Sequence, residues 1–232
     1  MIVHIPSKER YYAFHSWLSS YHLFSFADYY DPNNMNFGVL RVFNDDSIDG
    51  ESGFGAHPHS DMEIVTIMLE GELTHKDSMG NVRTMKKGEV QYMSAGTGVI
   101  HSEMNHRKEQ IHLYQLWFLP KSRGLAPAYD QKDFSTDMRK NELVPVVSDV
   151  EVGGAIIMQA EATIYLAELE KGKSITHTPQ KGRGVFIYIT EGELSIQNVE
   201  CRAGDQMRIV DEEKIEIIAC ENAKFVAIDV IQ

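Results

Sequence analysis

One short pattern occurs twice in this chain, and the duplication limits its folds more than any other feature. Met68-Leu-Glu-Gly71-Glu-Leu-Thr is followed by Lys87-Gly88-Glu-Val, and Ile189-Thr-Glu-Gly192-Glu-Leu-Ser is followed by Ala203-Gly204-Asp-Gln. Each copy reads as a strand, a tight Glu-Gly turn, a return strand and a second turn of glycine plus acid, glycine being the residue that takes positive φ at no steric cost. Chance is the competing explanation, since Glu-Gly-Glu-Leu suits any hairpin. The surrounding sequence consists of short runs rich in β-branched and aromatic residues, as at 63–69, 111–119 and 184–190, broken by Gly, Asn and Asp. Sustained helical periodicity is scarce. An all-β chain of two tandem sandwiches or barrels is the expectation.

Between the copies, the stretch 121–148 holds the Lys-Ser-Arg-Gly run after Pro120, the Ala126-Pro127 step and charges through Lys140, with little periodicity. It reads as a linker with at most a short helical turn. The expected division is an N-terminal domain at 1–120, the linker at 121–148 and a C-terminal domain at 149–232.

A net charge of −12 argues against general nucleic-acid binding, which needs a surplus of Lys and Arg. No apolar run approaches the ~18 residues of a membrane span. The N-terminal Met-Ile-Val-His-Ile-Pro segment lacks the apolar core of a secretory signal. Cys201 and Cys220 lie in apolar strand contexts and read as free buried thiols rather than a disulfide. A cytoplasmic location with no membrane partner is therefore expected.

The chemistry is concentrated in the histidines. Six of the ten fall between His57 and His112, and two pairs have strand spacing: His57-Pro58-His59 and His101-Ser102-Glu103. Residues i and i+2 of a strand share a face, so two adjacent strands could aim three imidazoles and a carboxylate at one metal ion. Isolated His-x-His pairs also occur on solvated strands without function. Glu63 is the rival carboxylate; on a straight strand it would lie ~13 Å from His59 unless a bulge intervened. Such a donor set suits Fe, Mn, Co, Ni, Cu or Zn. A structural zinc site would close with four ligands and usually include cysteine, and no cysteine lies near these histidines in the sequence. Four ligands on an octahedral ion leave two neighbouring positions, and the remaining positive charge favours an anionic chelating oxygen. Glu103 could then accept a proton from a bound hydroxyl.

The other candidates have plainer readings. His75 and His112 sit in strand patterns and read as core or surface residues, and His106 as a loop residue or an orienting neighbour of a ligand. The aromatic stretch Tyr21–Tyr30 either covers one end of a barrel or lines a pocket. Gly96-Thr-Gly98, just before the second pair, would let the backbone pass close to a metal.

Taken together, these residues resemble the cupin superfamily and, within it, the pirin-like proteins. His57-Pro-His59-Ser-Asp-Met-Glu63 matches the centre of the first cupin motif, although seven residues rather than six precede Gly71. His75-Lys-Asp-Ser-Met-Gly-Asn81, Met93-Ser-Ala-Gly-Thr-Gly-Val-Ile-His101-Ser-Glu103 and Ile111-His-Leu-Tyr-Gln-Leu-Trp117 are similar to pirin segments. The similarity is dense from about Phe24 to Pro120 and sparse beyond. It implies a bicupin of two jelly-roll barrels, with His57, His59, His101 and Glu103 as ligands of one divalent metal, iron first, with Mn, Co, Ni, Cu or Zn as alternatives. The second half has His177 followed by Thr178 and Pro179, with no second histidine and nothing resembling His101-Ser102-Glu103, so the C-terminal cupin domain is expected to lack the metal.

Members of the bacterial group include quercetinases. The implied activity is a metal-dependent dioxygenase that cleaves a flavonol such as quercetin with dioxygen and releases carbon monoxide, with Glu103 as base. The alternative from another class is a non-enzymatic, metal-bearing transcriptional regulator of the pirin type; a cupin isomerase is a third. A monomer is expected, because two cupin halves can shield one another's sheets.

Overall fold

In a computed structural model the chain is described at residues 1–134 and 139–232, and residues 135–138 of the expected linker lie outside that description. The first half forms β1 (Ile2–Ile5), β2 (Tyr11–His15), β3 (Leu18–His22), β4 (Leu40–Ile48), β5 (Ser52–His59), β6 (Glu63–Glu70), β7 (Glu72–Asp77), β8 (Val82–Lys86), β9 (Glu89–Ser94), β10 (Val99–Asn105), β11 (Ile111–Phe118) and β12 (Ala128–Asp133). The second forms β13 (Val144–Ser148), β14 (Ile156–Ile157), β15 (Ala162–Leu169), β16 (Ser174–His177), β17 (Arg183–Glu191), β18 (Glu193–Ile196), β19 (Val199–Arg202), β20 (Gln206–Ile209), β21 (Ile215–Ala219) and β22 (Ala223–Ile231). Among the described residues, helical structure amounts to little more than a 3₁₀ turn at Ser7–Glu9.

Two barrels of the same topology result. In the first, the seven-stranded sheet β12-β9-β6-β11-β4-β3-β2 faces the four-stranded sheet β5-β10-β7-β8. In the second, β1-β20-β17-β22-β15-β13-β14 faces β16-β21-β18-β19. The two Glu-Gly turns join equivalent strands, β6 to β7 and β17 to β18. Gly71 and Gly192 have φ of +81° and +78°, and a Cβ would meet Ile111 Cγ2 at 2.4 Å or the Asn222 carbonyl oxygen at 2.1 Å. The duplicated pattern thus marks two tandem copies of one fold.

The domain edges differ from the expected ones. β1 leaves the first 120 residues to pair with β20 of the second barrel, Ile2 opposite Ile209. Within the stretch read as a linker, β12 pairs with β9 and β13 with β15. β12 is an edge strand with hydrogen bonds on one side and a half-buried polar sequence, Ala-Tyr-Asp-Gln-Lys-Asp, so it carries no apolar alternation to betray it.

The large sheets pack against each other through one apolar cluster. Phe24, Phe43, Tyr114 and Phe118 of the first meet Val147, Ile164, Phe186, Tyr188 and Ile228 of the second. Phe43 lies 5.6 Å from Phe186 and 5.0 Å from Tyr188, ring centre to ring centre. The opposite face of each large sheet packs on its own small sheet, as Met68, Ile111 and Leu113 do on Leu73 and Met85. Central strands are therefore buried on both faces, which explains why β6, β11, β17 and β22 read as nearly continuous apolar runs. A polar clasp flanks the contact. Tyr188 donates to Asp45 Oδ2 at 2.6 Å, and His112 Nε2 lies 2.6 Å from Asp45 Oδ1. His112, read from its strand pattern as a core or surface residue, belongs to that clasp.

Candidate metal centre

The two histidine pairs come together because β5 and β10 are antiparallel neighbours. His57 lies directly opposite His101, and His59 opposite Val99. Between His101 and Glu103 the register slips, so that Glu103 faces Phe54; β5 carries one extra residue there, a bulge of the kind that re-aims side chains. On the other side of β10, His101 faces Asp77 and Glu103 faces His75 of β7 without a slip. Six side chains of three strands therefore share one face of the small sheet.

Their donor atoms form two overlapping groups, His57 with His59 and His101, and His75 with His101 and Glu103; within each, all donors lie within 4.8 Å of one another. His57 and His59 are half-buried on the edge strand, whereas His101 and Glu103 are 2% and 1% exposed. Burial, followed by the neighbouring imidazoles, pushes His59 down to about 4 and His101 down to about 3. Both are neutral at physiological pH, the form in which imidazole binds a metal.

The hydrogen bonds test whether a cation fits. His57 Nδ1 lies 2.7 Å from the Gly55 carbonyl oxygen, so it carries the proton and leaves Nε2 bare. That Nε2 is 3.0 Å from His101 Nε2. Two nitrogens at about 2.1 Å from one ion and at right angles to each other are separated by about 3 Å. Glu103 Oε2 accepts from Gln115 Nε2 at 2.7 Å, while Oε1 is buried without a partner. Burial raises the Glu103 carboxyl above its usual range, opposed by His75 and the Gln115 hydrogen bond. Neutral imidazoles and an uncommitted carboxylate oxygen suit a divalent ion.

Glu63 is directed elsewhere. It is fully buried and accepts hydrogen bonds from Tyr92 Oη and, at 2.8 Å, from Ser94 Oγ, with the Gln159 backbone N–H of the second half at 3.4 Å. The glycine pair is also placed otherwise than expected. A Cβ on Gly96 would meet the Leu125 carbonyl oxygen at 2.1 Å, so the close approach is to the loop before β12. His106 is exposed. The aromatic stretch is divided: Leu23 and Phe24 enter the interdomain core rather than cover a barrel end, while Phe26 meets Trp117 edge-on at 5.3 Å and Trp117 meets His59 edge-on at 4.9 Å.

Some neighbours were not legible beforehand. His75 and Asp77 have fully inaccessible side chains, and His75 Nε2 lies 2.9 Å from Asp77 Oδ2. Their i, i+2 spacing was the available signal, but only the register with β10 gives it meaning. Facing them, the large sheet carries a row of directly opposed polar residues: His22, Asn44, Gln115, Thr66 and Gln91. All five are under 9% exposed, and His22 Nδ1, Asn44 Oδ1, Thr66 Oγ1 and Gln91 Nε2 have no protein partner.

Comparison with known proteins agrees with this anatomy. Residues 6–118 match the family described as Pirin, and residues 145–230 match the quercetinase C-terminal cupin domain. Quercetin 2,3-dioxygenase of Escherichia coli is 41% identical over 230 residues, 99% of this chain and 98% of the relative. The chain belongs to the pirin family. A pirin-like protein of Caulobacter vibrioides is 41% identical over 216 residues, 93% of each chain. The crystal structure of the bacterial pirin YhhW from E. coli in complex with nickel(II) matches with a TM-score of 0.95 and 40% identity, covering 100% of this chain and 99% of that one.

This pirin contains its own internal comparison. In the second barrel β16 pairs with β21 as β5 does with β10, and His177 lies opposite Ile215 where His57 lies opposite His101. Ile217, two residues on, stands where Glu103 stands, and its partner on β18 is Ile196 where Glu103 faces His75. Ile196, Ile215 and Ile217 are fully buried. His177 Nε2 meets Asp229 Oδ2 at 3.0 Å instead. One fold is thus filled once with donors and once with aliphatic side chains.

Proposed function

We propose that this chain is a metal-dependent dioxygenase that opens the central ring of a flavonol such as quercetin with dioxygen and releases carbon monoxide. The observation that carries the reading is the placement of His57, His59, His101 and Glu103 on one face of one barrel, with a buried carboxylate oxygen uncommitted. The quercetinase name of the E. coli relative supports the choice of substrate. Those four side chains would hold one divalent transition metal; iron is our first assignment, and nickel, which the YhhW crystal contains, is a metal that imidazole and carboxylate donors also suit. When bound, the ion would supply Lewis-acid activation of a chelating 3-hydroxyl and 4-carbonyl pair and a site for dioxygen.

The protein's own groups have distinct roles. Glu103, one oxygen held by Gln115 and the other free, accepts the proton of the flavonol 3-hydroxyl as a general base. Gln115 fixes the orientation of that carboxylate and accepts the Trp117 indole N–H at 3.4 Å. Trp117 and Phe26 present aromatic surface beside His59 against which a flat ring can pack. The polar row offers hydrogen-bonding atoms to ring hydroxyls.

Aerobic incubation of the metal-loaded protein with quercetin tests the reading, following loss of flavonol absorbance and release of carbon monoxide. Turnover is expected only with the intact site. A rate no greater than that of metal-stripped protein or of His57→Ala would overturn it.

A further inference from the structure

We propose that Asp77 and His75 form a buried relay that holds His101 in the Nδ1–H tautomer and so presents its bare Nε2 to the metal position. The proposal rests on His101 being a ligand, as read above.

The proton count follows from the acceptor at the end of the chain. Asp77 accepts at both oxygens: Oδ1 takes the backbone N–H groups of Met79 and Asn81, and Oδ2 takes the Asn81 amide N–H at 2.8 Å. An ionised carboxylate only accepts, so the proton in the 2.9 Å contact lies on His75 Nε2. The other ring nitrogen of His75, Nδ1, faces His101 Nδ1 at 3.5 Å; a His101 that binds metal through Nε2 carries its proton on Nδ1, and His75 is the acceptor it faces. His101 Nε2 is left bare, 3.0 Å from the bare Nε2 of His57. Two lone pairs pointed at each other repel in the absence of a cation and bind one in its presence. The arrangement matches the general rule that a ligand histidine gives its second N–H to an oriented acceptor, which fixes the ring and raises its basicity.

The second barrel shows that the fold does not require this pair. Ile196 occupies the register position of His75 and is fully buried. A buried imidazole in place of an aliphatic side chain carries a desolvation cost, and the relay accounts for its presence. Asp77 is itself anchored by the backbone, since its Oδ1 accepts the N–H groups of Met79 and Asn81 at 2.9 and 3.0 Å. The hairpin turn after β7 thus fixes the carboxylate, the carboxylate fixes His75, and His75 fixes His101. A second ion held by His75, His101 and Glu103 is the rival use of the same atoms.

Long-range ¹H–¹⁵N spectra of histidine-labelled, metal-free protein at neutral pH read the tautomers directly. The expected result is a protonated Nδ1 and a bare Nε2 on His101. In His75→Leu the His101 signals should shift towards a tautomer mixture, and nickel affinity should fall about 10–100-fold. His75→Asn, whose amide oxygen can accept from His101 Nδ1–H, should recover most of that affinity. A bare Nδ1 on His101 in the native protein, unchanged nickel affinity in His75→Leu, or two nickel ions per chain would each overturn the relay. If His75→Leu does not fold, the native spectrum decides alone. Native-strength nickel binding by His101→Gln would instead remove the ligand reading beneath the proposal, whatever the tautomer.

Discussion

Glu103 and Ile217 occupy equivalent positions in two barrels of the same strand order, Glu103 facing His75 and Ile217 facing Ile196. The first barrel therefore carries a buried carboxyl where its twin carries a hydrocarbon. Glu103→Leu together with Gln115→Leu, which leaves no stranded Gln115 amide, should raise the unfolding free energy of the metal-free protein by about 1–3 kcal/mol, the cost of an unpaired buried polar group, and should abolish metal binding. Chemical denaturation and nickel titration of the same samples check both halves.

Glu103→Gln separates holding from proton transfer. An amide oxygen still donates a lone pair but cannot take a proton at neutral pH. Metal binding is expected to weaken while remaining measurable, and flavonol turnover to fall about 10²–10⁴-fold, the usual contribution of a positioned base. Full activity in this variant would take Glu103 out of that role.

Asp46 gives stability a pH dependence. Burial, aided by the charges of Asp45 and Glu103 and opposed by His112, raises its carboxyl from 3.8 to about 7. The folded state thus favours the protonated form. The stabilisation it contributes is complete below pH ~4 and is lost as pH rises through about 7. At about 1.4 kcal/mol per pH unit the loss totals about 4 kcal/mol. Unfolding of metal-free protein across this range should show the decline, and Asp46→Asn should flatten it.

Glu63 tests the division between structure and site. Its removal strands the Tyr92 and Ser94 hydroxyls at the domain contact. Glu63→Ala is expected to lose about 2–6 kcal/mol of stability, roughly 1–3 for each stranded group, with nickel affinity close to native once folded. A large loss of affinity without a loss of stability would place Glu63 among the ligands.

The parts legible in the sequence are those written at short range. The period-two His57/His59 and His101/Glu103 pairs, the Glu-Gly hairpins and the nearly continuous apolar runs each need only a few consecutive residues. What escaped depends on register between distant segments. β1 completes a sheet some two hundred residues away, because its short sequence serves any open edge, and the polar β12 has the composition of a loop. His75 read as an ordinary core or surface residue of a strand until β7 was set beside β10. The row from His22 to Gln91 takes one residue from each of five strands, so no window of sequence contains it.

Anomalous diffraction at the nickel edge from crystals of nickel-loaded protein addresses the metal centre itself. The expected map has one ion at about 2.1 Å from nitrogens of His57, His59 and His101 and an oxygen of Glu103, with two neighbouring positions left to solvent. An ion enclosed by protein donors alone, or seated between His75 and His101, would contradict it.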